Sequence, residues 1–259
     1  MSALLLHGLG SDRRQPLELF SPVLAAEGTA QRIIALDVRA HGDSALIGDP
    51  ADFALDRLAA EVAAEARVAL GDAPAPVTVI GISMGAAIGL RLALDDLLPV
   101  ARAVFVRPSF TDAPLPEHLR VFPVIGQLLH DSGADGADEF RTTSRYADVE
   151  RASPAGAQAL LAQFAAPDAE ARAIRLVEVP RNRAFADDAE LTGLAERGIR
   201  SLVIAAERDP VHPLAVAERW AGALGAPLET VPPRDDGRAA QTRAVREAVG
   251  RWMVGAGAA

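Results

Sequence analysis

The chain has 259 residues, no cysteine, five histidines and a formal charge of −9, and all 26 of its basic residues are arginine. Without cysteine there is no disulfide framework, thiolate nucleophile or zinc–cysteine site, and without lysine there is no Schiff base and no phosphate-loop lysine. The acidic balance lacks the footprint of a nucleic-acid binder, while 50% hydrophobic residues suffice for a core in one large domain, or one domain with an insertion.

Ala3 to Leu6 and Arg32 to Leu36 read as short buried strands bounded by turn residues. Phe53 to Leu70 is a helical pattern, with Leu55, Leu58, Val62 and Ala66 near one face and charged residues between them. A strand at Val77 to Ile82, a helix at Met84 to Leu94 and a strand at Ala101 to Val106 follow. From Pro108 to about Gly198 there is no convincing strand. Helical patterns run over His118 to His130, Ala155 to Phe164 and Asp168 to Val177. A stretch of about 90 residues is too long for a simple connection. It reads as a helical insertion, a cap over the C-terminal edge of the sheet. The alternation then resumes with a strand at Ser201 to Ala206, a helix at His212 to Leu224, a weaker strand at Leu228 to Val231 and a helix at Ala239 to Met253. Buried strands alternating with helices predict an α/β fold with a mainly parallel sheet of about six strands flanked by helices. The expected core comprises residues 1–107 and 199–259, with the cap at 108–198.

The stretch with most chemistry is Val77-Thr-Val-Ile-Gly81-Ile-Ser83-Met-Gly85. An apolar strand runs into G-x-S-x-G and then into a helix, which is the context a nucleophile elbow requires. The turn is tight enough that the positions two residues either side of the serine must lack side chains, hence Gly81 and Gly85. It lifts the Ser83 hydroxyl above the sheet edge and aims the first helix amides at whatever attaches there.

With these residues in view the chain resembles the α/β-hydrolase family along nearly its whole length. Leu4-Leu-Leu-His7-Gly8-Leu9-Gly10 is similar to the family's oxyanion loop, and Asp37-Val-Arg39-Ala-His41-Gly42-Asp-Ser44 to its D-x-R-G-x-G-x-S turn. Ser201 to Pro213 resembles the strand and loop that carry the acid, with Asp209 at the acid position. The resemblance implies catalytic Ser83 and Asp209, and an oxyanion hole from the backbone amides of Leu9 and Met84. The sequence opens at the oxyanion strand, so the antiparallel pair that commonly precedes it is expected to be missing from the sheet. The family's histidine window after the last strand, Val231 to Arg238, contains no histidine, and none follows.

The base is therefore open at this level. His7 is expected to organise the oxyanion turn and His41 to be structural. His118 and His130 belong to the cap. His212, three residues beyond Asp209, is either a replacement base or a residue lining the entrance. Asp235 and Asp236 stand in the histidine window and read as a solvated acidic turn. Arg107 follows a core strand at the pocket edge, where it meets a substrate carboxylate or pairs with an acidic side chain. Trp220 and Trp252 read as core. Phe105, Phe110, Phe122, Phe140 and Phe164 either line an apolar pocket or hold the cap together.

The resulting expectation is a serine hydrolase acting on a small apolar ester, thioester or amide, with no cofactor and no metal. A ligand-binding protein that has lost catalysis, or a lyase or acyltransferase on the same fold, are the alternatives. The partner is a small molecule, without nucleic acid or membrane. No apolar run approaches the ~20 residues of a bilayer span, and no secretory pattern opens the chain, so the expected compartment is the cytoplasm.

Overall fold

The structure, a computed structural model, describes residues 2–26, 32–71 and 76–255. In chain order the elements are β1 (Ser2–Leu6), α1 (Arg14–Ala26), β2 (Arg32–Leu36), α2 (Leu55–Leu70), β3 (Val77–Ile82), α3 (Met84–Leu94) and β4 (Val100–Val106). Then come α4 (Val121–Ser132), α5 (Gly136–Arg141), α6 (Ser144–Ala152), α7 (Pro154–Leu161), α8 (Ile174–Glu178) and α9 (Asp188–Glu196). The chain closes with β5 (Arg200–Ala206), α10 (Leu214–Leu224), β6 (Leu228–Val231) and α11 (Arg238–Gly255).

All six expected strands form, in one parallel sheet of order β2-β1-β3-β4-β5-β6. Alternate residues along each strand feed two separate apolar layers. Leu4, Leu6, Val77, Val79 and Phe105 pack with α2, α3 and α10 through Leu58, Val62, Ile88 and Trp220. Ala3, Leu5, Ile80, Ile82, Val104 and Ile204 pack on the other face with Phe20 and Leu24 of α1 and Val245 and Val249 of α11. Both faces of β3 are covered, so every residue of that strand is buried.

The order reverses at β1. The chain leaves β1 for β2 on one side and then returns to place β3 on the other. Where strand order reverses in a parallel sheet, the following loops diverge and leave a crevice beyond the C-terminal strand ends. Here the loop after β1 and the turn after β3 border that crevice. Between β4 and β5 the described residues are helical and carry no strand. Among the described residues no helix is long and apolar enough to cross a membrane.

Candidate active site

One residue separates β3 from α3. Ser83 takes φ 53° and ψ −108°, a conformation that side chains rarely adopt. A Cβ on Gly81 would overlap the backbone of Gly85 and Ala86, and one on Gly85 would lie 2.5 Å from the Leu6 carbonyl oxygen. The glycines are thus demanded by backbone approaching backbone. The Ser83 amide donates to the Val106 carbonyl at 2.9 Å, which fixes the turn against β4. Met84 begins α3, so its amide has no intrahelical acceptor.

The loop after β1 is held by polar side chains. The Val38 amide donates to His7 Nε2 at 3.1 Å, so the ring proton sits on Nδ1, which donates to the Gly8 carbonyl at 2.9 Å. The Gly8 amide in turn donates to Gln15 Oε1 at 2.8 Å. His7 is fully buried, and burial lowers its pKa and favours the neutral ring. It organises the turn and is fully occupied in doing so. Leu9, the next residue but one, lines the same cavity as Ser83.

The decisive contact comes from the acid's own loop. His212 Nε2 lies 2.9 Å from Ser83 Oγ, and His212 Nδ1 lies 2.9 Å from Asp209 Oδ2. The other Asp209 oxygen accepts the Val211 and His212 amides, each at 3.2 Å. Those two bonds curl residues 209–212 into a tight turn that brings the ring round onto its own acid. Of the two positions left open for His212, the structure places it against the serine. The window after β6 indeed has no histidine, but the serine does not lack one, and His212 does more than line the entrance. The turn also explains why α10 starts at Leu214 rather than at His212.

Protonation follows from the partners. Burial is the largest influence on Asp209 and opposes its charge, but His212, Arg107 and Arg234 more than offset it and hold the carboxyl well below its usual range. Burial also dominates at His212 and lowers its pKa below 6.5, against the pull of Asp209. At neutral pH the ring is therefore neutral, with its proton on Nδ1 facing the carboxylate. Nε2 is then an acceptor for the Ser83 hydroxyl. That leaves a Ser83 lone pair for the Ser109 hydroxyl, 3.1 Å away and fully buried. Ser109 was not singled out in the sequence, where nothing marks it apart from its place two residues beyond Arg107. Its carbonyl accepts from His118 Nε2 at 2.6 Å, so His118 braces this segment and does not reach the serine. His41 is buried and donates through Nδ1 to the Arg39 carbonyl at 2.7 Å, while His130 is exposed on α4.

One acidic expectation changes. Asp235 is not a solvated turn residue. Its carboxylate accepts the Ser153 hydroxyl at 2.5 Å and the Ala155 amide at 2.9 Å, at the N-terminus of α7. It ties the helices inserted between β4 and β5 to the loop beyond β6. Asp236 pairs with Arg208 at 2.5 Å. Replacing Asp235 with alanine removes both α7 contacts and is expected to cost about 1–2 kcal/mol of stability. Urea denaturation checks this, and a change below about 0.5 kcal/mol would contradict the anchoring role. Arg107 takes the acidic pairing, donating through Nη1 to Asp209 Oδ2 at 3.4 Å. Of the five phenylalanines only Phe122 lines the cavity; Phe105, Phe110, Phe140 and Phe164 are buried in the packing around it. Trp220 is fully buried, as expected of a core residue.

The cavity is about 540 Å³, within the usual range for a small-molecule site. Ser83, His212 and Asp209 share it with Leu9 from the loop after β1 and Ser153, Gln158 and Gln163 from the segment between β4 and β5. The sequence profile of the Alpha/beta hydrolase family matches residues 3–248. The chain belongs to the alpha/beta hydrolase family. Over 96 residues, 37% of this chain, it is 34% identical to protein phosphatase methylesterase 1 of Homo sapiens. The match spans only 24% of that relative's length. A thermophilic esterase from Thermogutta terrifontis superposes with a TM-score of 0.67 at 19% identity, over 98% of this chain and 89% of the other. A hydrolase from Pseudomonas aeruginosa PA01 gives 0.66 at 23% identity, over 96% and 89%. This alpha/beta hydrolase thus shares its architecture with hydrolases across nearly the whole chain. Its pairing of acid and histidine within four residues, Asp209 to His212, is read from its own geometry.

Proposed function

We propose that this alpha/beta hydrolase is a serine hydrolase acting on a small ester, thioester or amide, without a cofactor. The observation that carries the reading is the 2.9 Å contact between Ser83 Oγ and His212 Nε2, continued to Asp209. A serine hydroxyl is a weak nucleophile until a base takes its proton. As Ser83 Oγ bonds to the substrate carbonyl carbon, His212 Nε2 accepts the hydroxyl proton, and Asp209 stabilises the imidazolium that forms. The Leu9 and Met84 amides donate to the carbonyl oxygen as it becomes an oxyanion. The imidazolium then returns its proton to the leaving alcohol, thiol or amine, leaving an acyl group on Ser83. Water attacks that acyl group and gives a proton to His212; the bond from the acyl carbon to Ser83 Oγ then breaks, His212 returns the proton to Ser83 Oγ, and the free acid leaves. Ser109, donating to Ser83 Oγ, orients the hydroxyl and its lone pairs. The helices of residues 108–198 act as a cap that supplies part of the pocket wall. The histidine missing beyond β6 favours the ligand-binding alternative, and the His212 contact with Ser83 weighs against it.

Esterase assays with short-chain 4-nitrophenyl esters test the reading. Turnover by the wild type and its loss in Ser83→Ala are expected; turnover that survives Ser83→Ala would assign the reaction elsewhere. The pH dependence has a defined sign. Because burial depresses the His212 pKa, kcat/KM should fall on the acid side and rise to a plateau at higher pH, with a midpoint below 6.5. A midpoint above that value, measured with the fold intact, would contradict His212 as the base.

A further inference from the structure

The cavity lining is rich in one kind of charge. Arg107, Arg208, Arg234 and Arg238 all line it, while Asp209 is its one carboxylate, in a chain whose formal charge is −9. Asp209 is committed to His212, to two backbone amides and to Arg107. Arg208 is neutralised by Asp236. Arg234 is half-buried and, among the described residues, its side chain forms no ion pair and no hydrogen bond. Its neighbour Asp235 has turned its oxygens to Ser153 and Ala155. Arg107 and Arg238 repel it, and burial with that repulsion lowers its pKa to about 10, which leaves it charged at neutral pH. Its guanidinium donors are not sealed from solvent and are free to take an anionic group of a ligand in the cavity.

We propose that Arg234, aided by Arg107, is the seat for a carboxylate on the substrate itself, so that the preferred substrates are esters or thioesters of small molecules bearing a second, anionic carboxyl group. This rests on the serine-hydrolase reading for the reaction, but the site can also be read by binding alone. The forked guanidinium suits a carboxylate, taking it with two parallel hydrogen bonds. Arg107 is well placed to help. It follows Val106, whose carbonyl holds the Ser83 amide, and its side chain already contacts Asp209. Leu9, Ile82, Phe122, Leu160 and Val211 supply the apolar surface for the carbon skeleton between the two polar ends. The base has moved to the acid's own loop, and the loop beyond β6 contributes an arginine in its place.

The test compares 4-nitrophenyl hemiglutarate with its methyl ester, 4-nitrophenyl methyl glutarate. These differ only by the free carboxylate. The wild type should favour the charged ester in kcat/KM by about tenfold or more, and high salt should shrink the preference. Arg234→Gln should bring the ratio close to one, and Arg234→Lys, which keeps the charge without the fork, should fall between. Thermal melting of both variants checks that the fold survives. Turnover of the methyl ester at a rate equal to or above the charged ester overturns the inference and leaves the hydrolase reading standing. If neither ester is turned over, the hydrolase reading fails and calorimetric binding of glutarate decides the site. Binding that is lost in Arg234→Gln supports it, and no binding to the wild type overturns it.

Discussion

Replacing His212 with alanine is expected to lower kcat/KM for any ester turned over by about 10⁴- to 10⁶-fold, with little effect on stability. The size follows from the role. The Ser83 hydroxyl would lose the one histidine within hydrogen-bond reach of it among the described residues, and Asp209 would be left without the proposed imidazolium to stabilise. The residual rate is what the oxyanion amides and substrate binding alone provide. Asp209→Asn should cost about 10⁴-fold, because an amide in place of the carboxylate no longer holds the ring proton on Nδ1. Steady-state kinetics on both variants, with circular dichroism as a check on folding, measure this. A loss below about tenfold for His212→Ala would mean that another group takes the proton. No histidine beyond β6 is available to do so, since the described chain there presents Arg234, Asp235 and Asp236 instead.

The largest expected effect on stability is at the elbow. Gly81→Ala places a methyl group against the backbone of Gly85 and Ala86, where no side chain can move aside. β3 is buried along its whole length and paired on both sides, so the strand cannot shift to make room. Overpacking usually costs 1–3 kcal/mol, and a clash with fixed backbone belongs at or beyond the upper end, about 3–5 kcal/mol. Loss of activity should accompany it, because the same turn aims Ser83. Denaturant unfolding of the variant checks the figure. A cost under about 1 kcal/mol would show that the turn is looser than its geometry implies. Gly237→Ala, where a methyl group meets nothing within 4 Å, is a less crowded comparison, although its φ of 121° carries its own strain.

The sheet was legible in the sequence because each strand is a short apolar run, buried on both faces in central strands such as β3. β2, β3 and β6 have the expected bounds, and β1, β4 and β5 extend one residue further at the start. The helices were legible where an apolar stripe is continuous, as in α2 and α3. α1 was not anticipated. Pro16 and Pro22 interrupt its pattern, and the helix exists because Phe20 and Leu24 bury fully against the sheet. α5, α6 and α9 are short and charged, with one or two large buried side chains each, so no stripe announces them. The helix expected over Asp168 to Val177 forms only as α8, at Ile174–Glu178.

The site divides in the same way. Ser83 was legible because the elbow is a local matter of backbone clearance, written in two glycines. Asp209 was legible by its place after β5. His212 was visible as a candidate, but its role depends on a turn closed by side-chain-to-backbone bonds from Asp209, a geometry that spacing alone does not fix. An Asp-x-x-His-Pro run leading into a helix is the signal that could have raised it. Asp235, Ser109 and Arg234 gain their roles only when distant segments meet. Asp235 is 82 residues from Ser153, and Ser109 is 26 from Ser83.

Covalent labelling tests the central claim most directly, that Ser83 is a nucleophile activated by His212. Wild-type protein treated with a fluorophosphonate should form a single adduct, mapped by mass spectrometry to Ser83, and the rate should fall at least about 10³-fold in His212→Ala. No adduct on the wild type under conditions that label an ordinary esterase, or labelling at the same rate in His212→Ala, would contradict it.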